Sequence, residues 1–350
     1  MRETVSRGVE FVLFCVALLW SLAAARIADS SAHGLAGQFA QGAFIPIVGG
    51  LIFLFLLVVG FQLLDSITVR RGSPAEALPM PRRATSAREW TLGAAAGWGT
   101  CVLALLPLFL SRNLHADISS TPQIWATTLL SVVTLAVITL AEEVALRGYA
   151  LRRLSAAIGP SLAAIATSLI FAAALLWMEP PPNLVTAFLD CFLFGLLLAM
   201  AYLRTHALWT GWGAHFAYRA TMALVFGLPI AGHTQLPSVV EGYASGPRWL
   251  SGGAFGADAA LFTAIALILA TAWLYRATKD YAWNYTHRTI AGAGDEVTVA
   301  PPAAHVAMEA QAAAAPPPLV QILGATPQGR SVAGLAVAAN STGEAPPPRT

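Results

Sequence analysis

Long apolar runs separated by short polar stretches recur along the chain. Eight of them match the length of a bilayer-crossing helix, about 17–25 residues. They fall at residues 9–25, 44–64, 90–110, 124–146, 160–178, 184–203, 207–228 and 257–275. The pattern predicts an all-α polytopic membrane protein with about eight transmembrane helices. Composition agrees. Charged residues make up 11% and apolar residues 57%, against roughly 25% and 45–50% in soluble domains.

Arginine placement orients the spans. The loop after the second run carries Arg70, Arg71, Arg82, Arg83 and Arg88. The fourth run ends at Arg147, Arg152 and Arg153, the sixth at Arg204, and the eighth at Arg276 and Lys279. The N-terminus carries Arg2 and Arg7. These are alternate ends of the spans, so they share one side, and the positive-inside rule makes that side the cytoplasm. The opposite loops hold only Arg26, Arg112 and Arg248. The chain is thus expected to be integral to a plasma membrane of the bacterial inner-membrane type, with both termini cytoplasmic. The first run is longer than a signal-peptide core and reads as an uncleaved anchor. A net charge of +2, spread as topology signals, points away from nucleic acid. Cys15, Cys101 and Cys191 lie inside spans without paired spacing and read as small buried side chains.

Four regions follow from this reading. Residues 1–89 hold two spans and a basic cytoplasmic loop, and residues 90–228 form a core. Residues 229–285 hold an outer loop and the last span. Residues 286–350, rich in Ala and Pro, read as a disordered cytoplasmic tail.

Carboxylates are expensive in hydrocarbon and mark functional sites there. Glu142 and Glu143 follow a run from Ile124 to Leu140 without a single charge. Glu143 and Arg147 are i and i+4, with the glutamate on the favourable N-terminal side, so they can neutralise each other. Glu142 points about 100° away and has no local partner, which suits it to general-base work. His215 lies roughly 12 Å from the cytoplasmic end of the seventh span, and Glu142 roughly 15 Å in from Arg152. Their depths match, and Gly211 and Gly213 allow close helix approach. Arg219, one turn beyond His215, needs an acidic partner. Asp190 in the sixth span is the candidate, and Glu142 the alternative. Pairing with Asp190 leaves Glu142 free. Pairing with Glu142 occupies the base with hydrogen bonds, water activation fails, and strong coupling there with none to Asp190 leaves a binding scaffold as the better account.

These residues resemble the CPBP family of CAAX-type prenyl endopeptidases, bacteriocin-processing and immunity proteins, and Abi-type membrane proteins, over about residues 90–228. The first family motif, Glu-Glu-x-x-x-Arg, stands as Glu142, Glu143 and Arg147. The last is similar to the stretch from Leu203 through Trp209 to His215. The resemblance implies a CAAX-type intramembrane peptidase fold, in which Glu142 activates water, His215 polarises the carbonyl or stabilises the oxyanion, and Glu143 and Arg147 support them. It implies a membrane-embedded or lipidated peptide as substrate or partner within the lipid bilayer. Two positions depart from the family. Leu175 replaces the histidine of Phe-x-x-x-His, which begins here at Phe171, and Arg219 replaces the asparagine of His-x-x-x-Asn. No cofactor is expected. Zinc is disfavoured, because Glu142 and His215 alone fall short of the ligand set a catalytic zinc takes from protein. The functional expectation is an intramembrane endopeptidase. Its rival is a catalytically impaired scaffold or immunity protein that binds a peptide or lipidated partner. A transporter using Asp190, Arg219 and Glu142 as a relay lacks any internal repeat.

The topology is testable. Single cysteines placed in loop 65–88 and loop 229–256, in a cysteine-free background, should label from opposite faces of sealed cells. Labelling of both from one face would contradict the eight-span arrangement.

Overall fold

The computed structural model describes residues 2–39, 44–68, 79–81, 83–178, 181–232, 236–279 and 310–311. Residues 1–289 form one compact unit and residues 290–350 a second. The Ala- and Pro-rich tail expected from residue 286 onward lies outside the described residues, apart from Ala310 and Gln311, which are helical. So do Arg70, Arg71 and Arg82 of the basic loop.

Each apolar run coincides with helix. The long helices are α1 (Arg2–Phe39), α2 (Ile45–Thr68), α3 (Ser86–Leu110), α4 (Pro122–Glu143), α6 (Pro160–Met178) and α7 (Leu184–Thr205). α4 passes through a π-helical turn, Val144–Gly148, into α5 (Tyr149–Ile158). The seventh run is α8 (Leu208–Ala220) followed by a second π-helical turn, Thr221–Val225. After the short α9 (Arg248–Ser251), the eighth run is α10 (Leu261–Ala277). Among the described residues, six helical stretches are long and apolar enough to cross a membrane, and α10 is a shorter apolar helix of 17 residues. Large apolar side chains such as Phe55, Phe109 and Leu129 stand exposed on the helices. An all-α polytopic membrane protein presents such side chains to lipid.

Two boundaries differ from the sequence reading. The first helix runs to Phe39 rather than stopping at residue 25, because nothing in Arg26–Gln38 breaks it. The fourth run does not end at residue 146 but continues through α5. There Arg153 bonds Glu10 at 3.1 Å and Asp65 at 2.7 Å, which ties together the ends of α1, α2 and α5. One feature was not expected at all. β1 (Leu114–Ile118) pairs antiparallel with β2 (Val240–Ala244), Leu114 opposite Ala244. This short sheet joins loops that topology puts on the same face. At the other end Leu208 N–H donates to Pro79 C=O at 2.9 Å, and Trp209 Nε1 donates to Pro81 C=O at 3.0 Å. Arg204 there donates to Thr278 C=O at 3.1 Å.

α3 and α8 approach closely, backbone against backbone. Gly93 and Gly97 of α3, spaced as Gly-x-x-x-Gly, lie against the backbone carbonyls of Thr210 and Ala214 in α8. A Cβ at Gly97 would stand 2.1 Å from the Ala214 oxygen. Small residues let backbones meet where lipid offers no hydrophobic drive for association. On the other flank Trp212 Nε1 donates to Ala136 C=O of α4 at 3.0 Å. These contacts, with Gly213 of α8 against the Trp90 carbonyl of α3, help to position α8 and so His215. Gly97→Val should therefore push α8 away and destabilise the protein by about 1–3 kcal/mol, the cost of overpacking a tight contact. Thermal unfolding in detergent measures it, and an unchanged midpoint would show that α8 is positioned otherwise.

Candidate active site

Glu142 and Glu143 are the last two residues of α4, and Arg147 lies in the π-helical turn that follows. A π turn widens the helix and is found often at functional sites. Arg147 Nη1 donates to Glu143 Oε1 at 3.3 Å. The Arg147 guanidinium also stacks over the Phe171 ring, 4.5 Å from its centroid. Its Nη2 lies 3.5 Å from Gly195 C=O of α7. Glu143, Arg147 and His215 are all fully buried.

His215 enters from α8. Its Nδ1 lies 2.8 Å from the same Glu143 Oε1. The ring is held edge-to-face by Phe171 at 6.1 Å and Phe194 at 5.2 Å. A carboxylate only accepts, so in neutral His215 the proton sits on Nδ1 and Nε2 keeps its lone pair. Nε2 faces Glu142 Oε2 across 3.4 Å. Neither atom has a hydrogen-bond partner. The Glu142 side chain is 26% exposed, whereas that of Glu143 is sealed.

Glu142 has a second neighbour. Arg219 Nη1 donates to Glu142 Oε1 at 2.8 Å. The pairing of Arg219 with Asp190 is therefore corrected. Asp190 is buried with no hydrogen-bond partner on either oxygen. Asp190 and Arg219 line the same small cavity, but the guanidinium turns the other way. Leu175, at the family's histidine position, lines that cavity too. Glu142, Glu143, Arg147, His215 and Arg219 thus converge, and Asp190 stands apart from them.

The sequence reading missed the roles of Phe171 and Phe194 as walls for His215 and Arg147. Phe171 was visible as the first residue of Phe-x-x-x-Leu175, but its contact with a guanidinium carries no signal in spacing. The Gly93/Gly97 pair was visible and unread. Tyr218, whose hydroxyl donates to Asp258 Oδ1, was unmarked because the partners are distant in sequence.

Residues 124–221 match the family model described as type II CAAX prenyl endopeptidase Rce1-like. That segment holds all the converging residues. The match supports membership of the CPBP family for that segment. The match is narrower than the resemblance over residues 90–228, leaving out α3, whose glycines seat α8. CPBP proteins of this Rce1-like type are generally proteases, which points to a CAAX-type intramembrane protease. No curated protein and no solved structure matches the chain.

The two glutamates differ in their surroundings and should differ on substitution. Glu143→Gln unpairs Arg147 and should cost about 3–5 kcal/mol, as expected when one partner of a buried ion pair is removed. Glu142→Gln keeps an acceptor for Arg219 at a partly exposed position and should cost distinctly less. Denaturation of the two variants in detergent checks this. Equal losses would mark the motif as uniformly structural.

Proposed function

We propose that the chain is an intramembrane endopeptidase that hydrolyses a peptide bond near a membrane-embedded or lipidated C-terminus. The observation that carries this reading is the facing pair Glu142 Oε2 and His215 Nε2, 3.4 Å apart and both unpartnered. Two acceptors that face each other call for a shared donor. A water within about 2.8 Å of each, at ordinary hydrogen-bond length, gives one proton to each acceptor and turns its lone pair outward. Glu142 takes the proton from that water as its oxygen attacks the scissile carbonyl carbon. The resulting oxyanion is stabilised by the remaining N–H groups of Arg219, in place of the family's asparagine. Glu142 then passes its proton to the amide nitrogen as the C–N bond breaks, leaving a carboxylic acid and an amine, and the acid's proton moves to the amine to give carboxylate and ammonium. His215 orients the water through Nε2 because Glu143 holds its other nitrogen. Arg147 balances the charge of Glu143.

No metal is assigned to this mechanism. Glu142 Oε1 and Glu143 Oε1 each already carry a guanidinium. A dication would have to sit beside both, and no group of three His, Cys, Asp or Glu side chains among the described residues is arranged to hold one. The donor set does not fit.

A second reading is favoured by one observation. Arg219 takes an oxygen of the base, and Leu175 supplies no donor where the family has histidine. On that reading the chain is a scaffold or immunity protein that binds a peptide or lipidated partner without cutting it. The strict alternative drawn from sequence, that a Glu142–Arg219 pair abolishes water activation, treats the carboxylate as a single acceptor. Its two oxygens have separate neighbours.

Purified protein in liposomes, given membrane-anchored peptides with and without a prenylated cysteine, separates the two. Slow cleavage should be lost in Glu142→Gln. It should rise by about 10² or more when Arg219→Asn and Leu175→His restore two positioned groups. Binding without cleavage in both the wild type and the restored variant would support the scaffold.

A further inference from the structure

We propose that Arg152 and its neighbours on α5 bind a phosphate group at the arginine-rich end of the bundle. This does not rest on the proposed hydrolysis. Tyr149, Arg152 and Ser155 follow one another at three-residue spacing, so their side chains line one strip of α5. Among the described residues, Arg152 Nε and Nη2, the Tyr149 hydroxyl and the Ser155 hydroxyl are all buried and have no hydrogen-bond partner. Tyr149 itself is fully buried. The Arg152 guanidinium lies 5.9 Å from the centroid of its ring, and the arginine charge acts on the Tyr202 hydroxyl of α7. The carboxylates nearby are taken. Glu10 and Asp65 both pair with the next residue, Arg153. A guanidinium cannot release its proton, and buried donors normally find an acceptor. A cation with hydroxyls beside it and no carboxylate of its own calls for an anion.

Depth and donor type both suit a phosphate. Gly148 packs against Pro79: a Cβ there would stand 3.6 Å from the proline Cδ. Arg152 is one turn further along α5. The chain passes from α5 into α6 at Gly159 and Pro160, seven residues beyond Arg152, or roughly 10 Å of helix. That places Arg152 near the boundary where hydrocarbon gives way to lipid headgroups. Arg83 and Arg204 lie at the same end, but they donate to the carbonyls of Thr205 and Thr278. An end so rich in arginine attracts anionic lipid, and Arg152 still has donors to offer it. A guanidinium presents two parallel N–H groups to two phosphate oxygens. The hydroxyls of Ser155 and the two tyrosines can donate to the same group.

The full-length protein, delipidated in a non-ionic detergent, provides the test. Dioctanoyl-phosphatidylglycerol should raise its unfolding midpoint saturably, by about 2–4 °C. Dioctanoylglycerol, which lacks the phosphate, should not. Sodium phosphate in place of sodium chloride at equal ionic strength separates the sources. No rise there assigns the site to a lipid headgroup, and an equal rise assigns it to free phosphate. Arg152→Gln should weaken the apparent affinity about tenfold or more, the loss of a charge-assisted contact. Arg88→Gln, at an exposed position on α3, should leave it unchanged. If Arg152→Gln does not fold, Ser155→Ala and Tyr202→Phe must each weaken binding in a folded protein, and intact binding in both would overturn the proposal. A midpoint that ignores both phosphatidylglycerol and phosphate would overturn it, as would an equal rise with dioctanoylglycerol. So would an Arg88→Gln that weakens binding as much as Arg152→Gln, because the anion would then be answering general basic charge.

Discussion

A charge inside a bilayer must find its opposite, and the protein is organised around that requirement. Glu143 is sealed from solvent, and so are the two cationic or polar groups that meet it, Arg147 and His215. One carboxylate oxygen receives both. Removing any member leaves the others buried without compensation, so the three act as one unit. The rest follows from keeping them together. Arg147, in the π turn after α4, meets the glutamate four residues earlier. Gly93 and Gly97 let α8 approach α3 until His215 lies at the depth of Glu143. Phe171 and Phe194 close the sides, giving the imidazole edge-to-face contacts and the guanidinium a π face.

Glu142 is the exposed counterpart of this sealed unit. The adjacent backbone position turns it about 100° away, toward a surface that is still partly open. Its two oxygens meet different chemistry, a guanidinium on one side and an unprotonated imidazole nitrogen on the other. The first neutralises the charge that the membrane penalises. The second leaves two facing acceptors without a donor. With arginine at position 219, the Glu142 carboxylate carries its own counterion. The replacement brings a charge that bilayer insertion alone would resist, and Glu142 is what retains it.

Much of this was legible in the sequence because polar residues stand out against apolar runs. Glu142, Glu143, Arg147 and His215 could be named, and the Glu143–Arg147 pair followed from i,i+4 spacing alone. The helices could be placed because their apolar runs are long. What spacing could not decide was the partner of Arg219. Asp190 and Glu142 both lie within a plausible range of depth, and only the packing of α4 against α8 chooses between them. The continuation of α4 into α5 was hidden because Arg147 looks like the end of a span until its burial is seen. The sheet was hidden because five-residue strands in loops carry little pattern.

The central claim is that Glu143 fixes the orientation and tautomer of His215, leaving Nε2 bare toward Glu142. Nitrogen-15 magnetic resonance of the protein labelled at histidine, with His215 assigned by its loss in His215→Gln, reads this directly. The account predicts a one-bond coupling to hydrogen at Nδ1 and none at Nε2, and a change in that pattern in Glu143→Gln. A proton found on Nε2 with Nδ1 bare would contradict it.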